Sequence, residues 1–391
     1  MRRAIEPGDR AAGRALGGKT WLACLVLAAA ATAVYANGFA GRFVFDDLTT
    51  IVGNPELREL WPGLTEFVTR QRTLTTLTLA LNRSLGGTDP WGYHLVNLAV
   101  HVAAGWTLFA LVRRTLELER FQPRTRGAAR GIALATACLW LVHPLQTQSV
   151  TYVVQRAEAL MGLFYLLTLY CTLRAATGAR TRHWQGLAVL SCALGMASKP
   201  VMVTAPLVVL LFDRFLLAGS CRELARRRWR LHAGLALTWL VLGATDLVRL
   251  LGVSGTTTIG FGMADVSARE YVLTQPEVVL HYLRLALWPD PLVLDYGWPW
   301  VESPARALLP AGVLLLALAG SALALRRGRA EGFLGLAFFA ILAPTSSFVP
   351  VRDAAFEHRM YLPLAAVTSG IVLAVHALLV RGRVGLSLIH I

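Results

Sequence analysis

The stretch Trp21–Thr50, WLACLVLAAAATAVYANGFAGRFVFDDLTT, decides how this chain is read. Its first part, Trp21–Ala40, carries no charge, and a helix needs about 20 such residues to cross the hydrocarbon of a bilayer. Directly beyond it stand Asp46 and Asp47. At the bilayer centre an acid costs roughly 2.5–3.5 kcal/mol. At the lipid–water boundary it stays ionised and within reach of a polar or lipid-attached substrate. Being adjacent, the two carboxylates point to different sides of a strand or loop, so one can accept a proton while the other orients a partner.

Outward from this stretch the chain keeps the same character. Of 391 residues, 55% are hydrophobic and 16% charged, with mean hydropathy +0.53, too apolar for a soluble domain of this length. Apolar stretches recur at 21–40, 93–113, 129–143, 150–173, 184–199, 201–218, 231–250, 305–325, 331–344 and 361–380. They predict an all-α polytopic membrane protein of about ten spans. The net charge of +15, from 38 basic and 23 acidic residues, lies in short clusters between spans rather than on one face, which argues against nucleic acid as a partner.

Those clusters fall in alternate gaps: the N-terminus, Arg113–Arg130, Arg174–Arg182, Arg222–Arg230, Arg326–Arg329 and Arg381–Arg383. The positive-inside rule puts them in the cytoplasm and the aspartates on the outer face. The expected organisation is a basic cytoplasmic segment 1–20, a membrane domain 21–380 with long outer loops over 41–92 and 251–304, and a short tail 381–391 with no tetratricopeptide repeat. The basic start and Val34-Tyr-Ala36 suit a signal peptide, although an uncleaved signal anchor is favoured. Cys24, Cys138, Cys171, Cys192 and Cys221 form no Cys-x-x-Cys pair and read as small core residues.

The opposite gaps hold the polar constellations. His143-Pro-Leu-Gln-Thr-Gln148 runs through Gln155-Arg156-Ala-Glu158, a proline-broken hairpin whose polarity implies a wet pocket, unless Arg156 and Glu158 merely neutralise one another. Lys199 before Pro200 is a lone cation that suits a phosphate, with snorkelling as the plain alternative. In Glu357-His358-Arg359 the guanidinium can grip a phosphate through paired hydrogen bonds, or form an ion pair with the glutamate. His94, Asn97 and His101 share one helix face and read as an interhelical polar seam more than a metal site. Tyr282, Trp288, Asp290, Asp295, Tyr296, Trp298 and Trp300 collect aromatic rings and acids on the outer face. A divalent cation at Asp46 and Asp47 is left open, since two ligands alone are too few to assign one. Walker A and other soluble-nucleotide motifs are absent.

Taken together, Phe43-Val-Phe-Asp-Asp47 with Asn54-Pro55, Gly92-Tyr-His-Leu-Val-Asn-Leu98, His143-Pro-Leu-Gln-Thr147, Gln155-Arg-Ala-Glu158, Ser198-Lys-Pro200, Pro344-Thr-Ser-Ser347 and Glu357-His-Arg-Met-Tyr361 resemble a known family. It is that of the bacterial relatives of the transmembrane and tetratricopeptide-repeat O-mannosyltransferases, within the GT-C glycosyltransferases, and the resemblance runs over about 35–370. It implies a GT-C-like helical bundle that moves a mannose-like sugar from a polyprenyl-phosphate carrier to a hydroxyl of a protein or glycan acceptor. The implied setting is the outer, periplasmic face of a bacterial inner membrane. The chain departs from the family pattern at Gln148, where an acid is usual, and at Arg72-Thr73-Leu74, where Arg-Pro-Leu is usual.

The resulting expectation makes Asp46 or Asp47, with Asp46 favoured, the base of an inverting transfer. Arg359, His358, Glu357, Arg156 and Lys199 bind the donor phosphate, and His143, Gln148, Glu158 and His94 line the pocket. A transporter or flippase of a lipid-linked substrate, and a non-catalytic membrane scaffold, are the rival classes.

Overall fold

The computed structural model describes residues 7–58, 72–243 and 266–389. Parts of both expected outer loops, 59–71 and 251–265, the second half of the expected span 231–250, and the chain ends 1–6 and 390–391 lie outside the described residues. So do the side chains of 7–19, which include the N-terminal Arg10, Arg14 and Lys19, and those of the tail 382–389.

Among the described residues the α-helices with assigned bounds are α1 Pro7–Tyr35, α2 Thr73–Gly86, α3 Pro90–Leu116, α4 Pro123–Val142, α5 Thr147–Thr151, α6 Arg156–Thr177, α7 Thr181–Met196, α8 Ala205–Phe212, α9 Cys221–Arg227, α10 Trp229–Leu237, α11 Ala268–Leu287, α12 Pro304–Arg326, α13 Glu331–Leu342 and α14 Pro363–Ile389. Their starts follow from local chemistry. Asp89 accepts a hydrogen bond from the Trp91 N–H with Pro90 opening α3. Ser267 and Glu270 cap α11 reciprocally, satisfying N–H groups that the first helical turn leaves without partners. At His143 the chain is extended before Pro144, as a residue preceding proline prefers, and α4 and the segment Pro144–Thr151 meet at 56°.

The chain is an all-α, multi-pass integral membrane protein. Six segments among the described residues are long and apolar enough to cross a membrane: Thr20–Ala40, Pro90–Leu116, Val153–Thr177, Pro200–Leu217, Pro304–Arg326 and Pro363–Arg381. The bent pair of α4 and Pro144–Thr151 makes a seventh if it counts as one span. The expected stretches 184–199 and 331–344 form shorter helices, α7 and α13, and α10 covers the first part of 231–250, whose second half lies outside the described residues.

The centre of the bundle is built from α3, α4, α6 and α14. Trp140 donates its indole N–H to the Tyr361 carbonyl at 2.8 Å. His101 lies between Trp140 and Tyr361, its ring 5.0 Å from the former and 5.6 Å from the latter, and hydrogen-bonds the Tyr361 hydroxyl and the Leu141 carbonyl, both at 3.0 Å. In hydrocarbon such polar groups must be satisfied within the protein. Small residues let the helices approach: a Cβ added at Gly162 would lie 2.5 Å from the Tyr361 ring, and one at Gly105 2.5 Å from Leu141. By contrast α12 is only 6% buried over its apolar window and turns Leu308, Leu309 and Leu316 outward, as a lipid-facing helix does.

A clash that the flat Tyr361 ring cannot relieve makes Gly162→Val costly, by about 1–3 kcal/mol. Melting temperature of the purified protein in detergent should fall clearly for Gly162→Val and stay unchanged for Gly186→Ala, a position with open space around it. Equal melting of the two variants would remove Gly162–Tyr361 as a packing contact.

Candidate active site

Four segments meet at one end of the bundle: the first loop after α1, the bent hairpin 143–156, the segment 288–303 and the loop 343–362. The two aspartates separate sharply there. Asp47 is fully buried. Its Oδ1 accepts from the Val154 N–H at 2.8 Å and its Oδ2 from the Val44 N–H at 3.3 Å, which pins the loop onto the hairpin. Asp46 is exposed, with its backbone N–H bonded to the Tyr152 hydroxyl at 3.0 Å. Phe45, immediately before them, sits at φ 52°, a left-handed conformation that is an outlier for a bulky side chain. This twist sends one carboxylate inward and leaves the other at the surface. Burial drives the Asp47 carboxyl up to about 6, against the pull of the hydrogen bonds from Val154 and Val44.

The expected phosphate ligands are placed differently from one another. Arg156 is completely buried and donates to Asn97 Oδ1 at 2.7 Å, the Thr78 carbonyl at 3.0 Å and the Tyr93 carbonyl at 3.1 Å. It therefore ties α2, α3 and α6 together. Asn97 completes the tie through the Val150 and Val153 carbonyls. Arg359 is likewise buried, its terminal nitrogens reaching the Thr345, Ala354 and Asp353 carbonyls at 3.0, 2.8 and 2.5 Å. Both guanidiniums act as braces in this structure, where the sequence suggested phosphate clamps. Glu158 pairs with Lys199, both buried, rather than neutralising Arg156.

The pocket residues are connectors as well. Gln148 Oε1 accepts from the His358 backbone N–H at 2.7 Å and from its Nδ1 at 2.8 Å, while its amide donates to the Leu294 carbonyl at 2.9 Å. Glu357 accepts from the Val293 N–H at 2.6 Å and the Tyr296 hydroxyl at 2.7 Å instead of pairing with Arg359. His358 is held neutral, well below the usual imidazole range, by burial and by the nearby charges of Lys199, Arg359 and Arg72. With Nδ1 donating to Gln148, its Nε2 is an acceptor and no cation. His143 takes the Leu145 N–H on Nδ1 and reaches the Ala286 carbonyl with Nε2 at 3.2 Å. His94 contacts the Gly41 carbonyl at 3.3 Å, and its buried Nδ1 has no hydrogen-bond partner.

Acids and cations from several loops lie within electrostatic reach of one another at this end. Asp353 is raised by burial and by Asp295 and Asp46, and drawn down by Arg359 and Arg352, so acids from three separate loops share one space. Beneath them Lys199, Arg72 and Arg359 all act on His358. From sequence, Asp295 reads only within the outer cluster of aromatic rings and acids and Arg72 only as part of a departure from the family pattern, while Asp353 is marked only by its nearness to Glu357-His358-Arg359. No group of three or more His, Cys, Asp or Glu side chains arranged to hold a metal occurs among the described residues.

A family model described as dolichyl-phosphate-mannose-protein mannosyltransferase matches residues 74–247. Among similar proteins, Protein O-mannosyl-transferase Tmtc2 of Drosophila melanogaster is 31% identical over 70% of this chain and 30% of its own length. Protein O-mannosyl-transferase TMTC4 of Mus musculus is 27% identical over 85% of this chain and 52% of its own. TMTC2 of Homo sapiens is 29% identical over 71% and 35%. The chain thus spans about half the length of these relatives or less. No solved structure matches.

Because the folded Asp47 carboxyl titrates above its ordinary 3.8, at about 6, its contribution to stability is greatest below pH 4 and is lost as pH rises to 6. Infrared difference spectra between wild type and Asp47→Asn should contain a protonated-carboxyl band that disappears through about pH 6. A band gone by pH 4 would contradict the burial described. In its matched motifs, its helical membrane architecture and its relatives, this chain is a GT-C-type, O-mannosyltransferase-like membrane protein.

Proposed function

We propose that this chain is the membrane domain of a protein mannosyltransferase, which moves a mannose-like sugar from a polyprenyl-phosphate carrier to an acceptor hydroxyl. The observation that carries the reading is the division of the aspartate pair: one carboxylate exposed, the other buried and pinned. Asp46 is the base. It accepts the proton of the acceptor hydroxyl as that oxygen attacks the anomeric carbon, and the bond to the carrier phosphate breaks. Attack opposite the leaving group inverts the anomeric centre. Asp47 fixes the loop that presents Asp46, so it is a positioning residue.

Charge developing on the departing phosphate needs cations aimed at it. Arg156 and Arg359 have their donors turned to the protein, so this task falls first to Lys199. Its ammonium has three N–H donors, one of which is engaged by Glu158. Arg72 and Arg352 act from either side, the former within the electrostatic reach of Lys199, the latter exposed beside Asp353. The carrier is membrane-embedded, which keeps its phosphate at the lipid–water boundary, from which it reaches the loop-bearing end of the bundle. The positive-inside pattern supports an outer-face site, periplasmic if the membrane is a bacterial inner membrane.

In proteoliposomes supplied with polyprenyl-phosphate mannose and a hydroxyl-bearing peptide, Asp46→Asn should lower turnover by about 10²–10⁴-fold, the range of general-base catalysis, with the melting temperature unchanged. Asp47→Asn should lower melting temperature and turnover together. An Asp46→Asn protein that transfers at the wild-type rate would end the assignment.

A further inference from the structure

At the end of the bundle opposite the acids, where the arginine-rich turns gather, lies a cavity of about 560 Å³, within the roughly 300–1,000 Å³ of small-ligand sites. Nothing in the transfer reaction uses it. One wall is a single face of α14, formed in succession by Ala365, Ala366, Ser369, Leu373, Ala377 and Arg381. At about 1.5 Å per residue that face is roughly 24 Å long, so the space is elongated along the helix. The space suits one extended hydrocarbon chain better than a globular ligand. Leu108, Leu111, Tyr165, Leu169, Phe212 and Phe333 close the other side.

The mouth differs from the shaft. Arg120, Arg124, Arg329 and Arg381 line it together with His376 and Glu331, the latter 3.9 Å from Arg329. Arg120 bonds the Phe215 and Gly328 carbonyls, joining two turns at the rim. Arg124 and Arg381 are exposed. A basic pocket between membrane helices, opening where an apolar shaft begins, matches a lipid whose head group bears a phosphate. A soluble anion would leave the shaft empty, and a neutral lipid would leave the arginines without a counter-charge.

We propose that this cavity binds one anionic lipid, its phosphate among Arg120, Arg124, Arg329 and Arg381 and a hydrocarbon chain along the small-residue face of α14. The site is separate from the acid-bearing end, so it stands whether or not the transferase reading does. The lipid wedges α14 against α3 and α6, and these are the helices that carry His101, Tyr165 and Arg156 toward the opposite end.

The test is native mass spectrometry of the purified chain in detergent, titrated with phosphatidylglycerol or phosphatidylcholine, with melting temperature as second readout. Wild type should retain one phosphatidylglycerol roughly tenfold more strongly than phosphatidylcholine, with a rise in melting temperature. The rim variant Arg124→Glu/Arg381→Glu, altered only at exposed positions, should lose the preference. Ala366→Trp, which obstructs the shaft with the rim intact, should lose retention. Excess inorganic phosphate should not displace the lipid. Equal retention of both lipids by wild type, an unchanged preference in the rim variant, or displacement by inorganic phosphate would each overturn the proposal.

Discussion

Asp47, Arg156, Lys199 and Arg359 are among the ionisable side chains withdrawn from water at one end of this bundle, and each must find partners within the chain. A buried charge without them is costly, while one fully hydrogen-bonded can hold several segments in a fixed relation. Arg156 binds the carbonyls of α2 and α3 from the start of α6. Arg359 gathers the 343–362 loop around itself. Glu158 and Lys199 join α6 to the segment leading into α8. Asp47 fastens the first loop to the hairpin at Val154. Once those obligations are met, Asp46 is left exposed beside its buried neighbour, and its position is set by everything beneath it.

That distribution separates structural charge from chemical charge. Groups whose donors and acceptors are largely taken up by partners within the chain have less left for a substrate, however well their residue types suit one. Asp46 and Arg352 are exposed, and the ammonium of Lys199 bonds Glu158 with one of its three donors. They belong to different elements, so a site assembled from them depends on the braces for its geometry. Loss of a brace would disperse the site and destabilise the fold in one stroke, whereas loss of Asp46 would leave the scaffold standing.

The spans were legible because a bilayer leaves little freedom: Trp21–Ala40, Pro90–Leu116 and Pro363–Arg381 are long, apolar and uncharged at their centres. The break at His143-Pro144 was legible too, since proline acts locally. Stretches 184–199 and 331–344 were read as spans on apolarity, but α7 and α13 are shorter than the hydrocarbon is thick, and length is decided by where each helix ends. Within the site, the aspartate pair stood out, yet not which carboxylate is buried. That depends on a left-handed Phe45 and on an N–H more than a hundred residues away. Arg156 and Arg359 looked like phosphate clamps because a brace and a clamp share one residue type; only the positions of the Asn97, Thr78 and Asp353 oxygens tell them apart. Glu158 found Lys199 rather than the nearer Arg156 for the same reason.

The account rests most directly on the two ends of the bundle lying on opposite sides of a membrane, Asp46 at one and the arginine-rich turns at the other. Cys221, exposed beside Arg222, marks the second end naturally, and Asp46→Cys marks the first. Labelling of sealed vesicles of known orientation with a membrane-impermeant maleimide reads both. The account predicts reaction at position 46 from the outer side and at Cys221 only after the membrane is opened. Reaction of both from the same side, or protection of position 46 from either side, would contradict it.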